Sequence, residues 1–389
     1  MNHRVKIVCA TNMPYALEAF GTLGDARIIE GRIISPDDVR HADILAVRST
    51  TRVDRDLLDG SRVGFVGTAT IGTDHFDIPY LEGRGIRWCY APGCNANSVS
   101  EYVTAALLCL ARRHGFRLRG LTIGVIGVGN VGNRVVGKAT ALGLQVLQND
   151  PPRQEATGAS VFQPLDSILP QTDIVTLHVP LTSDGRHPTI HMADRRFFDR
   201  LKHGCILVNA ARGAVVDTDA LLRAMDRGIV SHAVIDTWEP EPAYRTDLLA
   251  RADLATPHIA GHSFEGKVNG TVMVYREACR FLGVPDAWTP DGLLPPPLVP
   301  QIEVDAAERE DEDALWEVVR RVYDIEADDA RMRAGIVADD RQRSKHFDRL
   351  RSDYPMRREF PFTRVQLQRA GATLRGTVAD LGFRTSEQA

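Results

Sequence analysis

Short apolar runs alternate with amphipathic helical patterns along most of the 389-residue chain. Runs of this length suit buried strands and are too short for helices, and their alternation with helices predicts parallel sheets in an α/β protein. The first five strands are predicted at residues 5–10, 26–29, 44–48, 65–68 and 86–91. Helical stretches lie between them, one beginning near Pro14 and another near Pro36. This part of the chain is therefore predicted to form a doubly wound domain.

A longer helix over about residues 98–113 leads to a second set of apolar runs. Their strands are predicted at residues 121–126, 145–148, 174–178, 206–210, 233–237 and 254–256. A helical pattern over about residues 264–282 would then return the chain to the first domain. We therefore expect a discontinuous first domain, a hinge where the chain crosses twice, and a ligand cleft at that hinge.

The C-terminal region follows a proline-rich linker predicted at residues 285–300. Beyond the linker the sequence contains an acidic stretch (303–313), a predicted amphipathic helix (314–322), a basic stretch (341–358), a predicted strand (360–367) and a predicted last helix (370–381). These features predict a small third domain. The basic stretch is expected to be a solvated face rather than a phosphate site.

Composition narrows the function classes. The formal net charge of −4 gives no general attraction to nucleic acid or anionic lipid, and no apolar run approaches the roughly 20 residues of a spanning helix. The start of the chain is typical of a first strand rather than a secretory signal. The six cysteines are scattered and form no Cys-x-x-Cys pair or Cys/His cluster with zinc spacing. We therefore expect reduced thiols, a cytoplasmic location and no metal, nucleic-acid or membrane partner.

The most informative motif is Gly127-x-Gly129-x-x-Gly132, which lies between a predicted strand and a predicted helix. In such a motif the first glycine makes a tight turn, and the second lets the backbone approach a pyrophosphate. The third allows the helix and strand to pack closely. Asp150 ends the next apolar run, where a carboxylate would accept from ribose hydroxyls and repel a 2′-phosphate. The motif therefore predicts binding of NAD rather than NADP.

Three further residues follow strand ends in the same unit and suit hydride transfer from a 2-hydroxy acid. Arg212 offers a planar guanidinium for a substrate carboxylate, and His258 could exchange the hydroxyl proton. Glu241 could hold the other imidazole nitrogen and stabilise imidazolium. Glu239, which also precedes a proline, competes with Glu241 for this role.

Together these segments resemble the D-2-hydroxyacid dehydrogenase family, in which an NAD domain is inserted into a split substrate domain. The separation of Arg212 from Glu241 (241 − 212 = 29) matches the family pattern and favours Glu241 over Glu239. The resemblance implies a Rossmann NAD domain and a flavodoxin-like substrate domain. The domains are expected at 1–97 (substrate-binding, completed by about 259–284), 98–258 (NAD-binding), 285–300 (linker) and 301–389 (a small α/β dimerisation domain).

Further segments, including Val47-Arg-Ser-Thr50 and Arg212-Gly-Ala-Val-Val-Asp217, resemble a branch of the family that oxidises a phosphorylated hydroxy acid in pyridoxal 5′-phosphate synthesis. The resemblance implies a homodimer formed by the C-terminal domain, catalysis by Arg212, Glu241 and His258, and substrate contacts from Ser49, Thr70 and His262. The expected cofactor contacts come from Gly127, Gly129, Asn130, Val131, Gly132, Asp150, Val179, Ala210, Ala211, Asp236 and Gly261.

Two positions depart from this pattern, because Val179 stands where we expect a threonine and His262 where we expect a tyrosine. Arg48 could neutralise the substrate phosphate or pair with an acidic neighbour. One alternative function is that of another D-2-hydroxyacid dehydrogenase, such as one acting on 3-phosphoglycerate. A second is that of an NAD-sensing corepressor, a binding protein that can keep the same three catalytic residue types.

Overall fold

The computed structural model describes residues 4–335 and 339–385, and begins with a five-stranded parallel sheet. Its strands are β1 (Lys6–Ala10), β2 (Asp25–Ile29), β3 (Ile44–Val47), β4 (Phe65–Thr68) and β5 (Arg87–Cys89), in the order β2-β1-β3-β4-β5. The connecting helices are α1 (Ala16–Phe20), α2 (Pro36–Val39), α3 (Arg55–Leu58) and α4 (Ile78–Gly83). Strands β3 and β4 are buried along their whole length, as expected for central strands covered on both faces.

Helix α5 (Ala96–His114) leads into a six-stranded parallel sheet with the order β11-β10-β9-β8-β6-β7. Its strands are β6 (Thr122–Ile126), β7 (Gln145–Asn149), β8 (Ile174–Leu177), β9 (Cys205–Asn209), β10 (Val230–Ile235) and β11 (Leu254–Ala255). The helices are α6 (Asn130–Ala141), α7 (Pro151–Thr157), α8 (Leu165–Ile168), α9 (Arg195–Phe198), α10 (Thr218–Asp226) and α11 (Thr246–Arg251). Helix α12 (Phe264–Leu282) follows and packs on β4 of the first sheet. The strand order reverses beside β6, and open parallel sheets bind ligands at such a switch point.

The C-terminal region forms a three-stranded parallel sheet with helices. Its elements are β12 (Gln301–Asp305), α13 (Asp311–Val322), α14 (Ile325–Arg333), α15 (Asp340–Ser352), β13 (Arg364–Gln368), α16 (Ala372–Asp380) and β14 (Arg384–Thr385). Strand β12 was not predicted, because acidic residues dominate this segment. Only Ile302 and Val304 alternate inward on it, which is enough for a half-buried strand.

The chain divides into two compact units, Met1–Asn95 with Ser263–Pro296, and Ala96–His262 with Pro297–Ala389. Helix α13 packs on α5 inside the second unit, where the C-terminal residues share one hydrophobic core with the six-stranded sheet. The predicted domains 1–97 and 301–389 include residues 1–3, 336–338 and 386–389, which lie outside the described residues. Within the described ranges, no helix is both long and apolar enough to cross a bilayer.

The expected solvated face at residues 341–358 is wrong for three arginines. Arg343, Arg357 and Arg358 are buried. Each has a partner: Arg343 pairs with the exposed Asp340, and Arg357 and Arg358 each lie over an aromatic ring. Buried cations with such partners are tolerated, which a count of charges along the sequence does not reveal.

The shared core of the second unit makes a prediction about stability. Leu315, on α13, is 3% exposed, and its replacement by alanine should cost about 2–5 kcal/mol of the free energy of unfolding. Leu17, on α1, is 49% exposed, so that Leu17→Ala should cost about 1 kcal/mol or less. Urea unfolding of both variants measures the costs. Equal costs, or a Leu315→Ala transition confined to the C-terminal elements, would contradict the shared core.

Candidate active site

Five of the predicted site residues follow strand ends of the six-stranded sheet. Gly127 follows β6, Asp150 follows β7, Arg212 follows β9, Glu241 follows β10 and His258 follows β11. Because all the strands are parallel, their carboxyl ends share one edge of the sheet. The sheet therefore presents the glycine motif and the three candidate catalytic residues at one edge.

Each of the three glycines of the motif lies in a different structural environment. Gly127 has φ +85°, and a Cβ there would lie 2.8 Å from the carbonyl of His178 and from Val179 Cγ1. At Gly132 a Cβ would lie 2.0 Å from the Gly127 oxygen, so only glycine allows α6 to approach the turn. A Cβ on Gly129 would meet nothing within 4 Å. This open position at the N-terminus of α6 is a cradle of the kind a dinucleotide pyrophosphate occupies, so the residues fit NAD.

Asp150 follows β7 and caps helix α7. Its Oδ1 accepts the Arg153 backbone N–H at 3.0 Å, and its Oδ2 accepts the Val128 N–H at 2.8 Å. The second bond ties the carboxylate to the glycine turn. A carboxylate has about four acceptor positions, so each oxygen retains one for a ribose hydroxyl.

The other predicted cofactor residues lie along the same edge. Ala210 and Ala211 follow β9, and the Ala211 N–H is held by Asn209 Oδ1 at 3.2 Å. Asn130 and Val131 begin α6, Val179 lies beside Gly127, and Gly261 is half-buried in the turn after His258. Valine at position 179 offers no side-chain hydrogen bond to a cofactor.

His258 and Glu241 form a direct pair. His258 Nδ1 lies 2.8 Å from Glu241 Oε2, while Glu241 Oε1 accepts the Trp238 N–H at 2.7 Å. Burial raises the pKa of Glu241, but the charge and hydrogen bond of His258 outweigh burial, and the pKa lies below its ordinary value. Glu241 is therefore an ionised partner for an imidazolium. Since Nδ1 is engaged, Nε2 is the nitrogen left to exchange a proton with a substrate.

Asp236 holds the loop that carries His258. Its side chain is buried, at 1% exposure, and accepts from the Thr256 hydroxyl at 2.6 Å and from the N–H groups of Ile259 (2.8 Å) and Ala260 (3.0 Å). Its carbonyl accepts the His258 N–H at 2.7 Å. His258 itself has φ +57°, a left-handed conformation that a non-glycine residue adopts only when its surroundings impose it. Asp236 supplies those surroundings.

The Arg212 loop is fixed against the segment that leads to Glu241. A Cβ on Gly213 would lie 1.8 Å from the Trp238 oxygen, so the two backbones approach as closely as glycine allows. Asn209 Nδ2 donates to the Arg212 carbonyl at 3.2 Å, and Arg212 Nη1 donates to the Ala211 carbonyl at 2.8 Å. The loop that carries Arg212 therefore packs against the backbone segment that leads to Glu241.

Sequence reasoning missed Arg357, from the C-terminal region. Its Nη2 donates to the Ala260 carbonyl at 2.6 Å, and the Ser98 hydroxyl donates to the same carbonyl at 2.9 Å. The guanidinium lies 4.2 Å from the centre of the Tyr323 ring. The peptide of Ala260 is thus bonded on one side by Asp236 and on the other by Arg357. Arginine within a basic stretch gives no sequence signal for such a contact.

The predicted substrate residues Ser49 and Thr70 lie in the first unit, after the neighbouring strands β3 and β4. Ser49 is exposed, while Thr70 Oγ1 bonds to the Thr68 hydroxyl at 2.7 Å and to the Gly72 carbonyl at 2.9 Å. Arg48 Nη1 donates to the Ala69 carbonyl at 3.1 Å.

The third predicted substrate residue, His262, lies in the second unit. Its ring packs edge-on against Tyr354, with the ring centres 5.8 Å apart. Tyr354, from the C-terminal region, donates its hydroxyl to Asp328 Oδ2 at 2.7 Å. An aromatic side chain therefore lies beside the histidine that replaces the expected tyrosine.

The glycine motif yields a prediction that separates folding from cofactor binding. Gly129→Ala should fold with unchanged stability, because the new methyl group meets no protein atom, yet weaken NAD binding about tenfold or more by filling the cradle. Gly132→Ala should destabilise the fold itself, since its methyl group would clash with the Gly127 carbonyl. Calorimetric titration with NAD and thermal unfolding measure the two effects. Unaltered NAD affinity in Gly129→Ala would place the cofactor elsewhere.

Known proteins give independent comparisons. Residues 100–260 match the family model described as D-isomer specific 2-hydroxyacid dehydrogenase, NAD binding domain. Residues 293–382 match a domain of unknown function, DUF3410. The erythronate-4-phosphate dehydrogenases of Yersinia pestis (strain Pestoides F) and Yersinia pseudotuberculosis (serotype O:1b, strain IP 31758) are each 44% identical over 383 residues, which is 98% of this chain and 99% of the relative.

Solved structures agree on the fold. NAD-bound 3-phosphoglycerate dehydrogenase of Entamoeba histolytica has a TM-score of 0.63 at 22% identity and covers 72% of this chain and 96% of its own. D-lactate dehydrogenase of Aquifex aeolicus, complexed with NAD and lactic acid, has a TM-score of 0.58 at 26% identity, covering 71% and 95%. The predicted fold class and NAD cofactor are confirmed. The chain belongs to the erythronate-4-phosphate dehydrogenase family, a group of NAD-dependent D-2-hydroxyacid dehydrogenases.

Proposed function

We propose that this protein oxidises 4-phospho-D-erythronate to (R)-3-hydroxy-2-oxo-4-phosphobutanoate, a step in pyridoxal 5′-phosphate synthesis. The observation that carries the proposal is the His258–Glu241 pair, at 2.8 Å, on the strand edge that also carries Arg212 and the glycine cradle. The substrate is taken from the name of relatives that are 44% identical over nearly the whole chain. The 22% identical phosphoglycerate enzyme supports the fold and no particular substrate.

In this mechanism the guanidinium of Arg212 binds the substrate carboxylate as a two-pronged donor, which fixes C2 and its hydroxyl group. His258 Nε2 takes the hydroxyl proton as the C2–H bond breaks and the C2–O double bond forms. Glu241 keeps Nδ1 protonated and stabilises the resulting imidazolium. NAD, when bound, supplies the acceptor for the hydride that leaves C2. In the reductive direction, His258 is the proton donor.

Substrate recognition is proposed for Ser49, Thr70 and His262. Both Ser49 and Thr70 carry hydroxyl groups at the carboxyl ends of adjacent strands, which suits donation to a hydroxy acid or its phosphate. Arg48, next to Ser49, is a candidate for the phosphate charge, and its other role is the bond to the Ala69 carbonyl. At position 262, imidazole replaces a phenol as the donor, with Tyr354 at its edge.

The proposal also includes a homodimer formed through residues 301–389 and a cytoplasmic location. The family resemblance supports the dimer, and the curated relatives align with this chain through the C-terminal region as well. The net charge of −4 and the absence of a membrane-crossing helix in the described ranges fit a protein with neither nucleic-acid nor membrane partners.

The function is tested by comparing kcat/KM for 4-phosphoerythronate and 3-phosphoglycerate, with NAD and an oxo-acid acceptor present. We expect a higher kcat/KM for 4-phosphoerythronate. Arg212→Lys should lower kcat/KM by about 100-fold or more, because lysine keeps the positive charge but cannot donate two parallel hydrogen bonds. Arg196→Lys, at an exposed position on α9, is the matched control and should retain full activity.

Equal or better turnover of 3-phosphoglycerate would overturn the substrate assignment. Full activity of Arg212→Lys would overturn the role of the guanidinium as a two-bond donor.

His258→Ala should abolish turnover while NAD binding, measured by calorimetry, survives. A parallel loss of NAD binding would refute the acid/base role of the imidazole.

The lowered pKa of Glu241 gives a prediction about pH. Because folding depresses this pKa below its ordinary 4.5, the stabilisation by the carboxylate is fully present above about pH 4.5 and is lost as the pH falls through the folded value. Glu241→Gln should therefore be less stable than wild type at pH 7, and the difference should shrink near pH 3.5. Turnover at pH 7 should fall by about 100-fold or more, since imidazolium loses its counter-charge. Urea unfolding at both pH values and steady-state kinetics measure these effects. A stability difference that grows on acidification would contradict the assignment.

A further inference from the structure

A cluster of two histidines and one aspartate lies away from the candidate active site. His114 ends α5, His232 lies on β10, and Asp253 directly precedes β11. His114 Nε2 and His232 Nδ1 each lie 2.9 Å from the same atom, Asp253 Oδ1. The two imidazole rings are nearly stacked, with centres 3.8 Å apart and planes 30° from parallel. The fold thus brings three possible ligand atoms close together.

The cluster is held by its surroundings. Asp253 Oδ2 accepts the Ala233 N–H at 3.0 Å, and the Asp253 N–H donates to the Ala233 carbonyl at 2.9 Å. Arg113 Nη1 donates to the Asp253 carbonyl at 2.7 Å. The side chains of His114, His232 and Asp253 are 30%, 22% and 15% exposed, so the cluster is shielded on one side and open to water on the other. Donors fixed by their neighbours bind an ion with little loss of conformational freedom.

We propose that His114, His232 and Asp253 bind a divalent transition-metal ion of the zinc class, with water completing the coordination. The ligand atoms are His114 Nε2, His232 Nδ1 and Asp253 Oδ1, which lie within 4.8 Å of one another. Two imidazole nitrogens and one carboxylate oxygen are a donor set that zinc takes readily, whereas magnesium and calcium prefer oxygen donors throughout.

The surrounding charges fit a cation. Asp253 brings a carboxylate whose Oδ1 lies 2.9 Å from one nitrogen of each imidazole. Arg113, which donates to the Asp253 carbonyl, is itself paired with Glu326 at 3.2 Å. With neutral imidazoles the cluster therefore carries a net negative charge. The second carboxylate oxygen, bonded to Ala233, orients the ligand oxygen in the way that outer-shell partners do.

The position of the cluster indicates a structural role. Asp253 precedes β11, and His232 lies on β10 on the amino side of Asp236. His258 and Asp236 follow the same two strands at their carboxyl ends, so the metal would not touch the reacting atoms. It would instead tie the end of α5 to the two strands that carry the catalytic loop. Like any ligand that binds the folded state and not the unfolded one, such an ion raises thermal stability by mass action.

The test uses the untagged, full-length protein saturated with NAD, stripped with a chelator and titrated with Zn²⁺ at pH 8. At that pH few protons compete for imidazole. Calorimetry and elemental analysis should find one zinc ion per chain that raises Tm. His114→Gln, at the end of a helix, should weaken zinc binding by more than about 100-fold, beyond the 10–100-fold typical of losing an outer-shell partner. His203→Ala, an exposed histidine on the same unit, is the matched control and should bind zinc like wild type.

Two results would overturn the proposal. One is a wild-type protein that takes up no stoichiometric zinc. The other is a His114→Gln variant that binds zinc as tightly as wild type, which would assign the ion to a cysteine or to His258. Should His232→Ala fail to fold, His114→Gln still decides, and Co²⁺ provides a second readout. Its visible ligand-field absorption should appear in wild type and in His203→Ala, and be lost in His114→Gln.

Discussion

The buried carboxylate of Asp236 is the constraint on which the candidate active site depends. Three donors bind its two oxygens, from Thr256, Ile259 and Ala260, while its own carbonyl holds His258. Burial raises the pKa of this group, while the charge of His258 and the three hydrogen-bond donors act against burial. Loss of one donor would leave a buried polar group partly unsatisfied. Four groups of the loop are thus bonded to Asp236, and one of them is the N–H of His258, whose backbone is left-handed.

The loops that follow β9 and β10 contact each other, and this contact positions the candidate catalytic side chains. Gly213 brings the Arg212 loop against the backbone of Trp238, whose N–H in turn holds Glu241. The guanidinium and the carboxylate are each bonded to a backbone group, and the imidazole is bonded to that carboxylate. Preorganisation of this kind lowers the cost of assembling opposite charges around a substrate, since little reorganisation is left for the reaction itself.

The sequence was a good guide wherever local patterns decide structure. Residues 264–282 agree with α12 at both ends, and two of the motif's conditions are met, the tight turn at Gly127 and the close packing at Gly132. NAD and the fold class are confirmed, while the roles of individual site residues stay predictions. Local patterns fail where partners are distant in sequence. The basic stretch gave no sign that Arg357 reaches Ala260, and spacing could not bring His114 near Asp253, because both contacts depend on tertiary packing.

The bond from Arg357 to the Ala260 carbonyl has a consequence for how this protein could evolve or be recombined. The C-terminal region is not a separate module, since it shares the core of the second unit and bonds to the loop that carries His258. A chimera in which residues 301–389 are replaced by an unrelated tail would remove the Arg357 donor from the Ala260 carbonyl and uncover the face of α5 on which α13 packs. A recombinant protein whose parents are joined at the proline-rich linker should therefore take residues 96–262 and 301–389 from the same parent.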